Sequence, residues 1–406
     1  MTPAGPATGR WRALALICAG VVGVLTTWFS ATAVLPELID EWDLSPAGAA
    51  WLTNAVQLGF VLGAVGASAV NLPDIVRMHR LIACASVLAA LANAALLVSG
   101  PAGALVARLV TGIALAGVYP PALKLMATWF VRGRGLALGF LIGALTLGSS
   151  MPHLVRALAG GLDWRVVVIG STAAALGAAA LFGLAVREGP FAFARATFDP
   201  RKCLAVVRDR PLMLANLGYL GHMWELYAMW AWILAFATAA EAGIARFPFG
   251  SPSMLAFAVV AVGTAGCLGG GWLSDRIGRC RTTAGAMVLS GGAAVLIGFA
   301  FDGPGWWLAL VGLVWGVTVI ADSAQFSAAV TELADGAFVG TALALQLGLG
   351  YALTVVAIWL VPVAADLLGG WRWAFLVLAP GPAMGAWAML ALRRRPEAAA
   401  LAGGAR

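Results

Sequence analysis

The sequence predicts an all-α membrane protein with twelve transmembrane helices arranged in two pseudo-symmetric halves of six. Its composition, the spacing of its apolar runs and a repeat between its halves support this fold class. Of the 406 residues, 62% are hydrophobic and 11% are charged, and the mean hydropathy is +0.93. Soluble domains usually carry about 25% charged residues. The composition therefore excludes a soluble enzyme, a disordered chain and a nucleic-acid-binding protein.

Twelve apolar runs approach the ~20 residues that a membrane helix requires. The runs are continuous rather than alternating and rich in Gly and Ala, which excludes strands. The 51 glycines suit the close approach of helices in lipid. The runs lie at about residues 13–35, 48–70, 79–99, 102–128, 135–158, 165–187, 211–239, 253–274, 282–301, 305–330, 337–364 and 371–392.

The basic residues lie mostly on one side of the membrane. With the N-terminus in the cytoplasm, the cytoplasmic loops hold most of the 25 lysines and arginines, whereas the first loop opposite is acidic. This distribution follows the positive-inside rule. The first run exceeds the ~7–15 apolar residues of a signal peptide, so we expect an uncleaved helix. The topology predicts a multi-pass protein of a bacterial inner membrane with both termini cytoplasmic.

The longest polar stretch divides the chain into two six-helix bundles. The pair Trp164-Arg165 before the sixth run recurs as Trp371-Arg372 before the twelfth, which indicates a duplicated unit. Parallel repeats of this kind place a substrate site near the midplane between the halves. The expected N-terminal bundle, basic cytoplasmic linker and C-terminal bundle with its short cytoplasmic tail are 1–187, 188–210 and 211–406.

Short loop motifs resemble those of the major facilitator superfamily. Residues 271–281 read GWLSDRIGRCR, which is similar to the superfamily pattern G-x-x-x-D-R-x-G-R-(R/K). Helix 4 carries Arg108-x-x-x-Gly112, which is similar to the superfamily motif on that helix. The resemblance implies a twelve-helix secondary transporter of unassigned subfamily. Helix 5 lacks the Gly-Pro-x-x-Gly-Gly run typical of drug/proton antiporters, which weakens a drug-efflux interpretation.

The charged loops after helices 2 and 8 are candidates for gating. We expect Asp275 to accept hydrogen bonds from a helix N-terminus and from Arg279 or Arg281, in a cluster that forms in one state and breaks in another. The first-half copy of the loop keeps an acid and a final arginine but loses the glycines. The alternative is that these charges only anchor the topology. The gating candidates are Asp74, Arg80, Asp275, Arg276, Arg279 and Arg281.

Ionisable residues inside the apolar runs are candidates for transport chemistry, because a charge at mid-membrane costs ~2.5–3.5 kcal/mol. Helical spacing puts His222, Glu225 and Trp232 on one stripe of helix 7, and Asp322 and Gln325 on one face of helix 10. A buried carboxyl favours its neutral form, so Glu225 is a candidate for proton coupling or substrate binding. The alternatives are that the tryptophans face lipid and that Asp322 pairs with a basic residue.

Helix 4 supplies Arg108, Tyr119 and Lys124. Arg108 and Tyr119 share a face, whereas Lys124 lies about 160° away from Arg108 unless the helix bends at Pro120 and Pro121. Arg108 has a structural alternative, an ion pair or a bond to a helix carbonyl. Lys124 can instead extend to the membrane interface.

These features predict a secondary active transporter of a small organic solute that works by alternating access and is coupled to protons. Proton-antiport efflux of drugs or metabolites is the first alternative, and a transport-dead sensor or scaffold is the second. The sequence has no Walker segment, metal-ligand spacing or nucleophile elbow, so we expect no enzyme activity and no cofactor. The five cysteines suggest no disulfide framework. We expect a monomer that contacts membrane lipid and no nucleic acid.

Overall fold

A computed structural model describes residues 9–70, 72–130, 133–191, 203–335 and 339–404. Regular secondary structure in these ranges is helical throughout, and twelve helices form the transmembrane bundle. The predicted fold class is confirmed. The first six are α1 Arg10–Leu25, α2 Pro46–Ala69, α3 Met78–Ala94, α4 Pro101–Ala127, α5 Arg134–Leu158 and α6 Arg165–Leu184. The second six are α7 Arg210–Glu241, α8 Pro252–Ile277, α9 Arg279–Phe299, α10 Gly305–Leu333, α11 Val339–Leu367 and α12 Trp371–Arg393.

Ten of these helices, within the described ranges, are long and apolar enough to cross a membrane. The other two are α1, whose regular part has 16 residues, and α7, whose 32 residues include several polar and aromatic side chains. An even number of crossings places both chain ends on one side, here named the terminal side. The expected division of the chain at 188–210 stays a prediction, and residues 192–202 lie outside the described part.

Helix α1 ends earlier than the apolar run predicts, because other donors occupy its backbone carbonyls. The hydroxyls of Thr26 and Thr27 donate to the carbonyls of Gly23 and Val24 at 2.7 and 2.8 Å. Arg108 of α4 donates through Nη1 to the Thr27 carbonyl at 2.7 Å and through Nη2 to the Trp28 carbonyl. The chain leaves the helical path here and resumes as a 3-10 turn at Thr32–Val34 and a short helix at Leu35–Trp42.

Helix α4 bends where the sequence suggests. Its first segment ends at Ala116 and its second begins at Tyr119. Pro120 explains the position, because proline lacks an N–H and its ring collides with the carbonyl four residues earlier, which is that of Ala116. Helix α10 is interrupted at Asp322. Both interruptions lie on helices that carry candidate site residues, Arg108 and Tyr119 on α4 and Asp322 and Gln325 on α10.

Glycines allow the backbones of neighbouring helices to touch. A methyl group at Gly59 of α2 would collide with the Leu109 carbonyl of α4, and one at Gly112 would collide with the Val56 carbonyl. The two halves meet where α2 packs on α11 and α5 packs on α8. Thr264 of α8 donates to the Gly143 carbonyl of α5 at 3.1 Å, which shows how close the second contact is.

Replacing Gly59 with alanine should separate α2 from α4, since the added methyl meets backbone rather than a side chain that can move aside. We expect Gly59→Ala to lower the melting temperature in detergent, at a cost of about 1–3 kcal/mol. The matched control is Gly66→Ala on the same helix, where the methyl would point into open space. Equal melting temperatures for the two variants would contradict this view of the α2–α4 contact.

Replacing Arg108 with lysine should destabilise the segment that follows α1. A lysine ammonium cannot reach the carbonyls of Thr27, Trp28 and Leu52 together, and each buried carbonyl left unpaired costs about 1–3 kcal/mol. We expect a clearly lower melting temperature for Arg108→Lys, with Arg80→Lys at an exposed position of α3 as the control. An unchanged melting temperature for Arg108→Lys would show that the guanidinium does not hold the interrupted segment.

Candidate functional site

Six aromatic side chains from both halves meet in the middle of the bundle. This aromatic layer consists of Trp28, Phe29, Phe60, Tyr227, Trp230 and Tyr351, of which every member is at most 4% exposed. Trp28 stacks on Tyr227 of α7 with ring centroids 5.5 Å apart. Phe60 of α2 and Tyr351 of α11 are closer, at 4.3 Å. The layer therefore joins α1 and α2 of the first half to α7 and α11 of the second.

Polar atoms are embedded in the aromatic layer. The hydroxyl oxygens of Tyr227 and Tyr351 lie 2.8 Å apart, and Asn54 Nδ2 donates across the boundary to the Val355 carbonyl at 3.2 Å. Gln57 lies between Asn54 and Phe60 on the same face of α2 and is fully buried. Neither side-chain atom of Gln57 has a hydrogen-bond partner among the described residues. The indole N–H groups of Trp28 and Trp230 are likewise unpartnered within that part of the chain.

The predicted stripe on α7 brings two ionisable side chains into the second half. Glu225 accepts from the Ser290 hydroxyl of α9 at 2.8 Å and from the Trp315 indole of α10 at 2.7 Å. One turn away, His222 Nδ1 lies 2.9 Å from Asp322 Oδ1, at the interruption of α10. All three ionisable side chains are at most 2% exposed. We name His222, Glu225 and Asp322 the titratable cluster.

Asp322 is the member of the titratable cluster that approaches the first half. It lies within electrostatic range of Cys267 on α8, and the Cys267 thiol is 3.7 Å from the Thr146 hydroxyl on α5. Glu225 instead points between α9 and α10, inside its own half.

Arg108 is fully buried in the first half, and all its hydrogen bonds go to neutral oxygens. Besides the Thr27 and Trp28 carbonyls, it donates to the Leu52 carbonyl at 3.3 Å and to the Ser30 hydroxyl at 3.2 Å. Asn93 of α3 extends this network, since the Ser30 hydroxyl lies 2.5 Å from its amide oxygen. The guanidinium thus ties α1, α2 and α4 together.

The remaining candidate side chains divide between the packed interior and the partly open part of the interface. Trp232 donates to the Ile358 carbonyl at 2.8 Å and packs on Trp371, so it lies inside the second half. Gln325 is 3% exposed and accepts from Arg279. Tyr119 and Lys124 of α4 are half-buried. Tyr119 lies within electrostatic range of Tyr227 and Tyr351 in the aromatic layer.

Exposure differs between the two ends of the interface. Towards the side opposite the termini, Thr32, Thr53, Asn54 and Trp230 are at most 2% exposed. Towards the terminal side, the facing ends of α4 and α10 are only half-buried. The half-buried residues there include Tyr119, Leu123, Lys124, Ser323 and Ser327. The described residues at the terminal-side ends of α4 and α10 are thus more exposed than Thr32, Thr53, Asn54 and Trp230.

The arginine at the start of α9 bridges to the end of α10. Arg279 donates to the two Glu332 oxygens at 2.7 and 2.5 Å and to Gln325 Oε1 at 2.7 Å. The Ala402 amide of the C-terminal tail also donates to Glu332, at 3.0 Å. Asp275, Arg276 and Arg281 are exposed. In this conformation Arg279 therefore binds Glu332, not the expected Asp275.

The loop after α2, which corresponds in the first half to the loop after α8, forms a contact with the segment after α6. Arg80 is exposed, and the side chain of Asp74 lies outside the described part. His79 Nδ1 instead lies 2.8 Å from Glu188, which follows α6. Burial raises the pKa of the Glu188 carboxyl, but hydrogen bonds with its own backbone and with His79 outweigh this, and the pKa lies below its ordinary value.

Sequence reasoning missed several side chains that the structure brings to the centre. The search for site residues followed ionisable side chains, and it therefore passed over the uncharged Phe60, Tyr351 and Gln57. Asn54 and Gln57 did carry a signal, because two amides three residues apart share one face of an otherwise apolar helix. Glu332 was missed because its partner Arg279 comes from a loop 53 residues earlier.

The comparisons with known proteins agree on the architecture. No protein-family model and no curated protein sequence matches this chain. A bacterial homolog of the human lysosomal transporter Spinster, inward-facing and unoccupied, superposes with a TM-score of 0.74 at 15% identity, covering 96% of this chain and 98% of that one. The major facilitator superfamily transporter FucP, in its outward conformation, gives 0.65 at 15% identity, with 94% and 99% covered.

A variant of the E. coli fucose:proton symporter FucP gives a TM-score of 0.65 at 13% identity, covering 95% of this chain and 100% of that one. Identities at this level carry the fold and leave substrates open. The helix count, the two halves and these superpositions agree with the loop motifs of the sequence. The chain has the fold of the major facilitator superfamily.

Proposed function

We propose that the protein is a secondary active transporter that moves a small organic solute by alternating access, driven by a proton gradient. The observation that carries the proposal is the aromatic layer with its buried polar atoms, which lies at the boundary between the halves and beside the titratable cluster. In folds built from parallel repeats, the substrate site lies at this boundary near the membrane midplane. The superposed structures are transporters by their titles, which supports the same function here.

The positive-inside rule supports a cytoplasmic terminal side in a bacterial inner membrane. With that orientation, the greater exposure at the terminal-side ends of α4 and α10 supports an inward-facing state. The higher TM-score for the inward-facing Spinster homolog, 0.74 against 0.65 for outward FucP, is consistent with this assignment.

The titratable cluster supports proton coupling. A buried carboxyl must bind a proton, a cation or hydrogen-bond donors, because the charged form is costly in a medium of low dielectric. Glu225 and His222 lie one turn apart on α7, and His222 Nδ1 lies 2.9 Å from Asp322 Oδ1, so the two carboxyl groups share one buried cluster. Because α10 is interrupted at Asp322, we infer that protonation there moves the two segments of α10 relative to each other. The same cluster serves symport and antiport, so direction is decided by transport assays.

Removing either carboxyl should separate solute movement from the proton gradient. We expect Glu225→Gln and Asp322→Asn to abolish pH-gradient-driven accumulation in proteoliposomes while solute exchange continues, because an amide cannot release a proton. The assay uses a radiolabelled solute that raises the melting temperature of the purified protein. Glu241→Gln, at the exposed end of the same helix, is the matched control and should accumulate solute normally. Gradient-driven accumulation by Glu225→Gln would contradict the role given to that residue.

We propose that the loop after α8 acts in gating. Asp275 is exposed here and Arg279 binds Glu332, so the pairing expected from the sequence would belong to the other state. A carboxylate that binds in one state and is solvated in the second biases the equilibrium between them.

Replacing Asp275 with asparagine should therefore slow the transport cycle without changing which solutes are accepted. We expect Asp275→Asn to reduce the solute exchange rate several-fold, because the state that needs the carboxylate becomes less populated. Asp335→Asn, another exposed aspartate, is the control. A changed order of solute preference at a normal exchange rate would argue against gating and place Asp275 in recognition.

A further inference from the structure

The described contacts of Arg108 and of the titratable cluster stay within their own halves. Arg108 is directed at the Thr27, Trp28 and Leu52 carbonyls of the first half. In the second half, Glu225 is held by Ser290 and Trp315, and Asp322 lies beside His222. None of these contacts crosses the boundary between the halves. A solute at the boundary would therefore meet Arg108 and Glu225 already hydrogen-bonded, whereas His222 Nε2 and Asp322 Oδ1 have no hydrogen-bond partner among the described residues.

The side chains of the aromatic layer and the amides beside it, which lie at the boundary, are neutral. Asn54 contacts Val355 of α11, and Phe60 contacts Tyr351 of the same helix, so the face of α2 between them looks across the boundary. Gln57 lies on that face with its amide N–H2 and its amide oxygen unpartnered among the described residues. The indole N–H of Trp28 is a second unpartnered donor within that part of the chain. The side chains of Gln57 and Trp28 are at most 1% exposed.

Burying a polar group without a partner costs about 1–3 kcal/mol, so unpaired amide and indole groups are costly unless a ligand satisfies them in some state of the cycle. An amide supplies two donors and one acceptor with two lone pairs, and it matches amides, hydroxyls and ring nitrogens. The surrounding rings favour a flat apolar surface, which they contact by stacking or edge-to-face packing. A charged solute would lose its hydration among these neutral side chains.

We propose that the transported solute is an uncharged, flat organic molecule with hydrogen-bond donors and acceptors, which binds the aromatic layer through Gln57 and the Trp28 indole N–H. This inference rests on the proposed transport function and adds the charge and shape of its substrate. It assigns recognition to α1 and α2 of the first half, with Tyr227 and Tyr351 closing over the solute from the second. Protons then act at the titratable cluster, apart from the solute.

Matched probes that differ in charge test the inference. The purified full-length protein is melted in detergent with benzamide, benzoate and benzylamine, and with nicotinamide and nicotinate, at neutral pH. We expect benzamide or nicotinamide to raise the melting temperature in a dose-dependent way, and the charged members to have at least tenfold weaker effects. Larger shifts from benzoate, nicotinate or benzylamine than from the neutral members would overturn the inference, as would no shift from either amide.

Variants locate the binding. Gln57→Leu should weaken binding of the amides about tenfold or more, and Trp28→Phe, which keeps an aromatic ring, should weaken it by a smaller factor. The matched control is Gln346→Leu, which removes a buried amide that is already paired with Asn216 inside the second half. If Gln57→Leu proves too unstable to melt cleanly, Gln57→Glu introduces a charge and should abolish the amide shifts. Unchanged amide binding in the Gln57 variants would overturn the assignment.

These experiments distinguish failure of the inference about the solute from failure of the proposed transport function. Binding of a charged probe, with proton-coupled transport of that probe in proteoliposomes, would remove the inference and leave the transporter standing. Binding of an amide at Gln57 without any transport would support the inferred site and remove the transport function.

Discussion

The structure depends on one constraint, that polar groups placed inside a lipid-facing bundle must be satisfied by the protein itself. Arg108 illustrates how far this constraint affects the structure. Arg108, buried in α4, donates to backbone carbonyls of α2 and of the segment that follows α1. The regular helix α1 ends just before that segment. That interruption places Trp28 and Phe29 in the aromatic layer rather than on a helix surface. A single embedded cation thus shapes both the backbone and the centre of the molecule.

The two halves meet the same constraint with different chemistry. The first half buries the Arg108 guanidinium against backbone carbonyls and a hydroxyl. The second half buries two carboxyl groups and a histidine, whose protonation can change. Between them lies a layer of neutral aromatic and amide groups. Under the proposed function, this asymmetry would separate three tasks in space: a fixed scaffold in the first half, proton exchange in the second and solute contact at the boundary.

Much of the fold followed from composition, since continuous apolar runs of membrane length fix helix positions almost independently of tertiary context. The bend of α4 was also predictable, because Pro120 acts on a carbonyl four residues away. The end of α1 was not, because the donor that displaces its hydrogen bonds lies 81 residues further on at Arg108. The partner of Arg279 was missed for the same reason, since Glu332 comes from another helix. Helical spacing brought His222 and Glu225 to one stripe, but only the tertiary structure shows that Asp322 meets His222.

The central claim is that this protein couples solute movement to proton movement. It is tested most directly by trapping a pH-sensitive dye inside proteoliposomes and adding solute outside with no imposed pH gradient. Coupled transport predicts a change in lumenal pH that begins with solute addition, is absent from protein-free liposomes and is absent with Glu225→Gln. Solute entry at a constant lumenal pH, in vesicles shown to hold an imposed gradient, would contradict proton coupling.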